Sequence, residues 1–478
     1  MTVHAAKLDP PAPARESDVN VMLQGNFAPW RMEGTAEDLE VVGELPRDLN
    51  GTYYRNGPNP AYEPNGRYHW FDGDGMIHAI ALRDGRASYR NRWVQSEGLR
   101  EERRAGRALY NGLLNVNLAE PMAFKTTANT NIVFHAGKLL ALVESSLPTA
   151  LAACTLETIG PYDFGGKLMS AMTAHPKLDP ETGEMLFFGY SPFPPHLVYH
   201  VVDRDGVLVR SETIDVAWPS MMHDFIVTKD YVVFMLCPVV FDVMRIAEHG
   251  SPFAWEPERG TRLGVMPRSG GNADVRWYDV DPCFVFHPMN AYVEGEKLIA
   301  DVARYEQLLF MSPKAARDPG WREKNAARLH RWEIDLRPGG GVRSTPLDDR
   351  DGEFPRVDER RVGRKHRFGY MALTGPEGNA GGLPVWTSLQ KYDLERGTTE
   401  TRAFGPENGL SEPLFVPRTP DAAEDDGYVI FLAYDHARNA SDFYVMDARH
   451  LKGDPLAVVR IPHRIPYGFH GNWVAAIQ

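Results

Sequence analysis

Cysteine is scarce: Cys154, Cys237 and Cys283 are the only three in 478 residues. No two of them stand in a CxxC spacing, which excludes a zinc ribbon and a disulfide framework and fits a reducing compartment. Long apolar runs are missing too. The longest, YVVFMLCPVVF at 231–241, is broken by Pro238 and falls short of the roughly 18 residues of a membrane-spanning helix. The opening stretch MTVHAAKLDPPAPARES has no apolar core, so residues 1–20 read as a loose polar leader, not a signal peptide, and residues 21–478 as a single domain. A cytoplasmic location is expected. Basic residues do not dominate: 52 Lys and Arg against 64 Asp and Glu leave a net charge of −12, which argues against nucleic-acid binding. No GxSxG nucleophile elbow is present. The GDG of FDGDGMIH (71–78) neither follows a predicted strand nor opens a helix, so it does not indicate a dinucleotide site.

Turn residues and short apolar runs are plentiful. With 43 Gly and 37 Pro, the chain is cut into strand-length pieces rich in β-branched and aromatic residues. Strands are predicted within 131–144, 185–190, 197–202, 231–236, 297–302, 330–336, 427–435 and 442–447. Clusters such as DRDG, EGEK and EDDG separate them. This many short strands in one chain favours an all-β propeller of four-stranded blades over a single sandwich. Its last strand is expected to pair with the first blade. Short helices or lids are predicted only at 240–250 and 313–326, and RNGPNP (55–60) reads as a tight loop in which Arg55 stands out.

Three histidines occupy similar settings. His175 opens HPKLDPETGEMLFFGY, His223 opens HDFIVTKDYVVFML and His287 opens HPMNAYVEGEKLIADV. Each precedes a short extended piece, a polar turn and an apolar strand. A fourth, His470, lies in FHGNWV near the C-terminus. Histidines placed alike on repeated hairpins converge if the repeats form a ring, and converging neutral imidazoles bind Fe(II), Cu or Zn rather than calcium or magnesium. Four imidazoles bring no charge against a divalent ion. Carboxylates that accept the other ring N–H would supply it, and Glu144, Glu353 and Glu412 are candidates. The plain alternative for each is a solvated surface charge; His4, His249, His366, His436 and His450 are read as ordinary core or surface residues.

Taken in order, GTYYRNGPNP, HWFDGDGMIHAI, KTTANTNIVFHAGKLLALVE, TAHPKLDPETGE, HDFIVT, FHPMNAY, EFPRVDERRVGRKHRFGY, SEPLFVPR and FHGNWV resemble the carotenoid cleavage oxygenase family, from about residue 20 to the end. The resemblance implies a seven-bladed β-propeller with a loop and short-helix dome over its metal face. Fe(II) would be held on the axis by His175, His223, His287 and His470. Glu144 would support His223, Glu353 would support His287 and Glu412 would support His470, leaving His175 without a carboxylate partner. Thr130 matches the position that crowds one open coordination site. O2 would be the co-substrate, with no organic cofactor, and an electron-rich alkene would be split into two carbonyl fragments. A small hydrophobic alkene is thus the implied partner, reached through an apolar tunnel whose mouth contacts a membrane surface weakly. No obligate protein partner is implied.

Stilbene-cleaving members carry a lysine just before the first of these glutamates, where this chain has Val143. Tyr110 is the candidate for the tyrosine that accompanies that lysine. Val143 makes an apolar wall with added space, so the expected substrate is an apocarotenoid or a phenylpropanoid alkene of the 4-vinylguaiacol or isoeugenol type. A retinoid-type isomerase and a non-catalytic ligand-binding propeller on the same scaffold remain as alternatives.

Overall fold

Alternating apolar residues between tight turns build seven antiparallel sheets. The computed structural model describes residues 20–66, 68–112, 125–246, 251–308, 325–380, 383–406 and 408–476, so the predicted leader lies almost wholly outside the described residues. In chain order the sheets form blades 1 to 7 of a propeller. Blade 1 pairs Gly471–Ala475 with Gly51–Pro58, followed by Gly75–Arg83, Arg86–Trp93 and Gly34–Ala36. Blade 2 begins at Asn131–His135, blade 3 at Lys177–Leu178, blade 4 at Ile226–Val227, blade 5 at Phe284–Glu294 and blade 6 at Gly352–Arg356. Blade 7 begins at Asn408–Leu410 and Leu414–Pro417, and takes its outermost strand, Val41–Gly43, from the N-terminal region.

The ring is therefore closed twice. The C-terminal strand enters blade 1 beside Gly51–Pro58, as the sequence predicts, and Val41–Gly43 pairs with Ala457–Arg460 of blade 7. Turn chemistry sets the registers. Asp84 and Gly85, both at positive φ, join Arg83 to Arg86 in the two-residue hairpin that Asp-Gly favours.

The core consists of layers between blades. Tyr53 and Ile80 of blade 1 pack against Tyr428 and Phe443 of blade 7, and Phe188 and Tyr199 of blade 3 against Phe225 and Phe234 of blade 4. Leu263 and Val233 of blade 4 meet Leu298 and Trp332 of blade 5. Burying each such side chain is worth roughly 1.5–3 kcal/mol, so the blades hold one another in place.

The helix and loop expectations need correction. The start of the predicted 240–250 helix is not helical: Val239–Phe241 pairs with Phe253–Trp255 as a hairpin, and one 3-10 turn, Val243–Arg245, follows, while residues 247–250 lie outside the described residues. The β-branched Val239 and Val240 favour the strand. This hairpin is inserted between the second and third strands of blade 4. Most of the predicted 313–326 helix lies outside the described residues. The one α-helix among the described residues, α1 (Glu97–Ala105), was not anticipated, although Ser96 caps its start and Gly106 ends it in the left-handed region. RNGPNP is no loop either: Arg55 to Pro58 complete a strand, and buried Arg55 donates to the Pro466 carbonyl oxygen at 3.0 Å.

Candidate metal centre

Each blade contributes one residue to a cluster of four histidines and the three glutamates hydrogen-bonded to them. Blades 1, 3, 4 and 5 supply His470, His175, His223 and His287; blades 2, 6 and 7 supply Glu144, Glu353 and Glu412. His175, His223 and His470 sit just before the innermost strands of their blades, but His287 lies within its strand, where the register shifts between Val285 and Pro288. Such an irregularity re-aims a side chain. Glu353 is aimed similarly: the register shifts between Glu353 and Arg356, and Phe354 takes φ 56° while its N–H donates to Glu353 Oε2 at 2.8 Å. Thr173 joins two ligand positions. Its Oγ1 accepts from the His175 N–H at 3.2 Å and donates to the His223 carbonyl at 3.0 Å.

One nitrogen from each of the four imidazoles falls within a group spanning at most 4.8 Å, and the Nε2 atoms of His175 and His223 are 2.9 Å apart. Three rings have fixed tautomers. Nδ1 of His223 donates to Glu144 Oε2 at 2.5 Å, Nδ1 of His287 to Glu353 Oε2 at 2.6 Å and Nδ1 of His470 to Glu412 Oε1 at 3.0 Å. Each Nε2 is thereby left with a lone pair. His287 Nε2 is buried with no hydrogen-bond partner among the described residues, an arrangement that costs free energy unless something else takes the lone pair. A transition-metal ion at the point of convergence does so, and all-nitrogen donors suit it. The residues present fit such an ion.

His175 differs. Its Nδ1 is 3.8 Å from Asp224 Oδ2, outside hydrogen-bond range, and Asp224 is already held by Lys177 Nζ at 2.8 Å. Burial, then the neighbouring imidazoles, hold His175 well below the ordinary histidine range. Burial also dominates at His287 and His470, lowering both despite their glutamates. At His223 burial is outweighed by Glu144, and the pKa is raised.

Each glutamate is gripped from behind. Tyr190 donates to Glu144 Oε1 at 2.7 Å, Tyr305 donates to Glu353 Oε1 at 2.8 Å, and the Arg356 guanidinium sits 3.1 Å from Glu412 Oε1. Sequence reasoning missed all three. Only Arg356 was within reach of it, standing three residues after Glu353 in EFPR.

A cavity of about 820 Å³ opens onto His223, His287 and His470 but is not lined by His175. Phe286, Phe354, Trp386 and Phe469 form apolar wall. Thr130, Val143 and Tyr110 line it, as do Glu144 and Glu353, whereas Glu412, like His175, does not. Thr130 Oγ1 donates to Asn129 Oδ1 at 3.0 Å. The covering parts are α1 and the blade 4 hairpin, which contribute Glu102, Phe241 and Phe253 to the lining. Lys125, also on the wall, has Nζ 2.8 Å from Asp74 Oδ1 and 2.7 Å from Glu102 Oε2. That buried trio ties α1 to blade 1 through the second Asp of FDGDGMIH.

The family model for retinal pigment epithelial membrane protein matches residues 27–475. A carotenoid cleavage oxygenase of Mycobacterium tuberculosis is 39% identical over 97% of this chain and 99% of its own. An isoeugenol monooxygenase of Pseudomonas nitroreducens is 35% identical over 96% of this chain and 99% of its own. Among solved structures, a lignostilbene dioxygenase of Pseudomonas brassicacearum superposes with a TM-score of 0.89 at 36% identity, covering 96% of this chain and 99% of the other.

Proposed function

The chain belongs to the retinal pigment epithelial membrane protein and carotenoid oxygenase family, and on that premise we propose that it is an Fe(II)-dependent dioxygenase splitting a conjugated C=C bond into two carbonyl fragments. The observation that carries this reading is the convergence of four imidazoles, one with a buried nitrogen unpartnered among the described residues, at the end of a largely apolar cavity. When bound, the iron supplies activation of O2, with no organic cofactor. His175, His223, His287 and His470 hold it; Glu144, Glu353 and Glu412 orient three of those rings. Phe286, Phe354, Trp386 and Phe469 exclude water and place the alkene, while Thr130 narrows the space beside the ligands. Residues 21–478 act as one unit in the cytoplasm.

Substrates of two kinds match the cavity, an apocarotenoid and a phenylpropanoid alkene of the 4-vinylguaiacol or isoeugenol type. Named relatives act on both carotenoids and isoeugenol. Val143 supplies apolar wall where a lysine would have gripped a phenolate, and Tyr110 on the same wall favours a phenolic alkene. No described helix is long and apolar enough to cross a membrane. Met169 (90% exposed) and Phe193 (49% exposed) both line the cavity, which supports weak contact of its mouth with a membrane surface. An oxygen electrode run with a panel of alkenes tests the reading. Expected is O2 uptake matched to aldehyde release on one class. Isomerised product without O2 uptake would establish the isomerase alternative, and binding without turnover the ligand-binding one.

A further inference from the structure

Four carboxylates lie beside the imidazole rings: Glu144, Glu353 and Glu412 hydrogen-bonded to His223, His287 and His470, and Asp224 3.8 Å from His175 Nδ1. They are not equivalent. Arg356 lies 3.1 Å from Glu412 and Lys177 lies 2.8 Å from Asp224, so two of the four have a cation. Glu144 and Glu353 are held instead by the neutral hydroxyls of Tyr190 and Tyr305. Those hydroxyls stay protonated, because burial and then the adjacent glutamate push both well above the ordinary tyrosine range. They satisfy the outer oxygens without cancelling any charge. Arg356 also touches Glu359 at 2.8 Å, but that side chain is 58% exposed and water screens it.

We propose that Arg356 and Lys177 tune the charge around the metal site, each offsetting one of the carboxylates beside the imidazoles. The site is buried, and an unmatched charge in such surroundings is costly. A nearby positive charge disfavours a metal carrying three positive charges more than one carrying two. Arg356 and Lys177 are therefore positioning residues that favour the ferrous over the ferric state, although neither is a ligand. Each pairs with a carboxylate from another blade: Arg356 of blade 6 with Glu412 of blade 7, and Lys177 of blade 3 with Asp224 of blade 4.

The inference rests on the four histidines holding a divalent metal, and its test separates the two claims. Two quantities are measured on the full chain: the Co(II) dissociation constant by chelator competition, and the midpoint potential of the iron-loaded protein. Arg356→Gln keeps a donor for Glu412 but removes the positive charge. It is expected to tighten Co(II) and to shift the ferric-to-ferrous equilibrium about tenfold toward ferric, about 59 mV for one electron. Glu412→Gln is expected to do the opposite. The double variant removes one charge of each sign and should return close to wild type, as should Arg356→Lys alone. Lys177→Gln, on another blade, repeats the sign of Arg356→Gln and guards against a folding defect confined to one site. A merely structural role would instead make the double variant worse than either single one. Singles that shift in the same direction, unmoved values, or lost Co(II) binding in both cation variants overturn the inference. Wild type that binds no metal overturns the underlying metal assignment instead.

Discussion

Tyr110 donates its hydroxyl proton to the Glu101 carboxylate. This bond, more than burial, pushes the Tyr110 pKa up to about 12. The hydroxyl of Tyr110, a residue of the cavity wall, is thus committed as a donor, and among the described residues it accepts no hydrogen bond. The substrate group it suits is a neutral hydroxyl, not a phenolate. Tyr110→Phe is expected to lower kcat/KM for a 4-vinylphenol several-fold, since one neutral hydrogen bond is worth roughly 0.5–1.5 kcal/mol. Cleavage of an apocarotenoid should be almost unchanged. Equal rates for wild type and variant on vinylphenols would make Tyr110 a bystander.

On the proposed function, iron retention should depend on each imidazole. His223→Ala or His287→Ala removes one of four neutral ligands, and protein reloaded anaerobically should then hold little iron, against close to one iron per wild-type chain. Elemental analysis after gel filtration decides it. Full iron in both variants would contradict the ligand assignment.

Glu353 orients His287 and is itself oriented by Tyr305. Glu353→Gln preserves volume and removes the charge, and such changes cost about 10–100-fold in metal affinity or activity. Tyr305→Phe should shift metal affinity in the same direction by less, because the carboxylate remains. Metal titration of both variants checks the order. An unchanged Glu353→Gln protein would return that residue to a packing role.

Acid should destabilise the fold through histidines outside the four-histidine cluster. Burial holds His69, His200 and His366 each at about 4, against an ordinary 6.5. Their folded pKa values are depressed, so the unfolded chain binds more protons below pH 6.5. Stability is full above that pH and is lost as pH falls toward 4. His200→Gln should retain about 2 kcal/mol at most that wild type loses between pH 7 and 5. Urea unfolding at the two pH values gives the comparison, and identical losses would show that His200 charges freely in the folded state.

Lys125 offers a test of the covering structure. Lys125→Met leaves Asp74 and Glu102, each 2% exposed, without their shared cation. Breaking a buried pair of this kind costs about 3–5 kcal/mol. A lowered urea midpoint is expected, whereas an unchanged one would mean that Asp74 and Glu102 find other partners.

Much of this protein was legible in its sequence because the relevant signals are local. The hairpin turns follow from Asp84-Gly85 and similar pairs, and the strands from short apolar runs. The four histidines and three glutamates stand in segments that resemble one family in order. Even α1 carried a local signal in Ser96 and Gly106, although the strand-rich surroundings masked it. By contrast, the Gly and Pro of RNGPNP suggested a loop where inter-blade packing makes a strand. Only the tertiary structure determined that each blade contributes one residue to the cluster of histidines and glutamates. It alone paired Tyr190 with Glu144, Tyr305 with Glu353 and Arg356 with Glu412, across 46, 48 and 56 residues. The physical reason is that a hydrogen bond or ion pair depends on where two groups lie in space. In a ring of blades, that is decided by the packing of neighbouring sheets and the closure of the ring, which no single segment encodes.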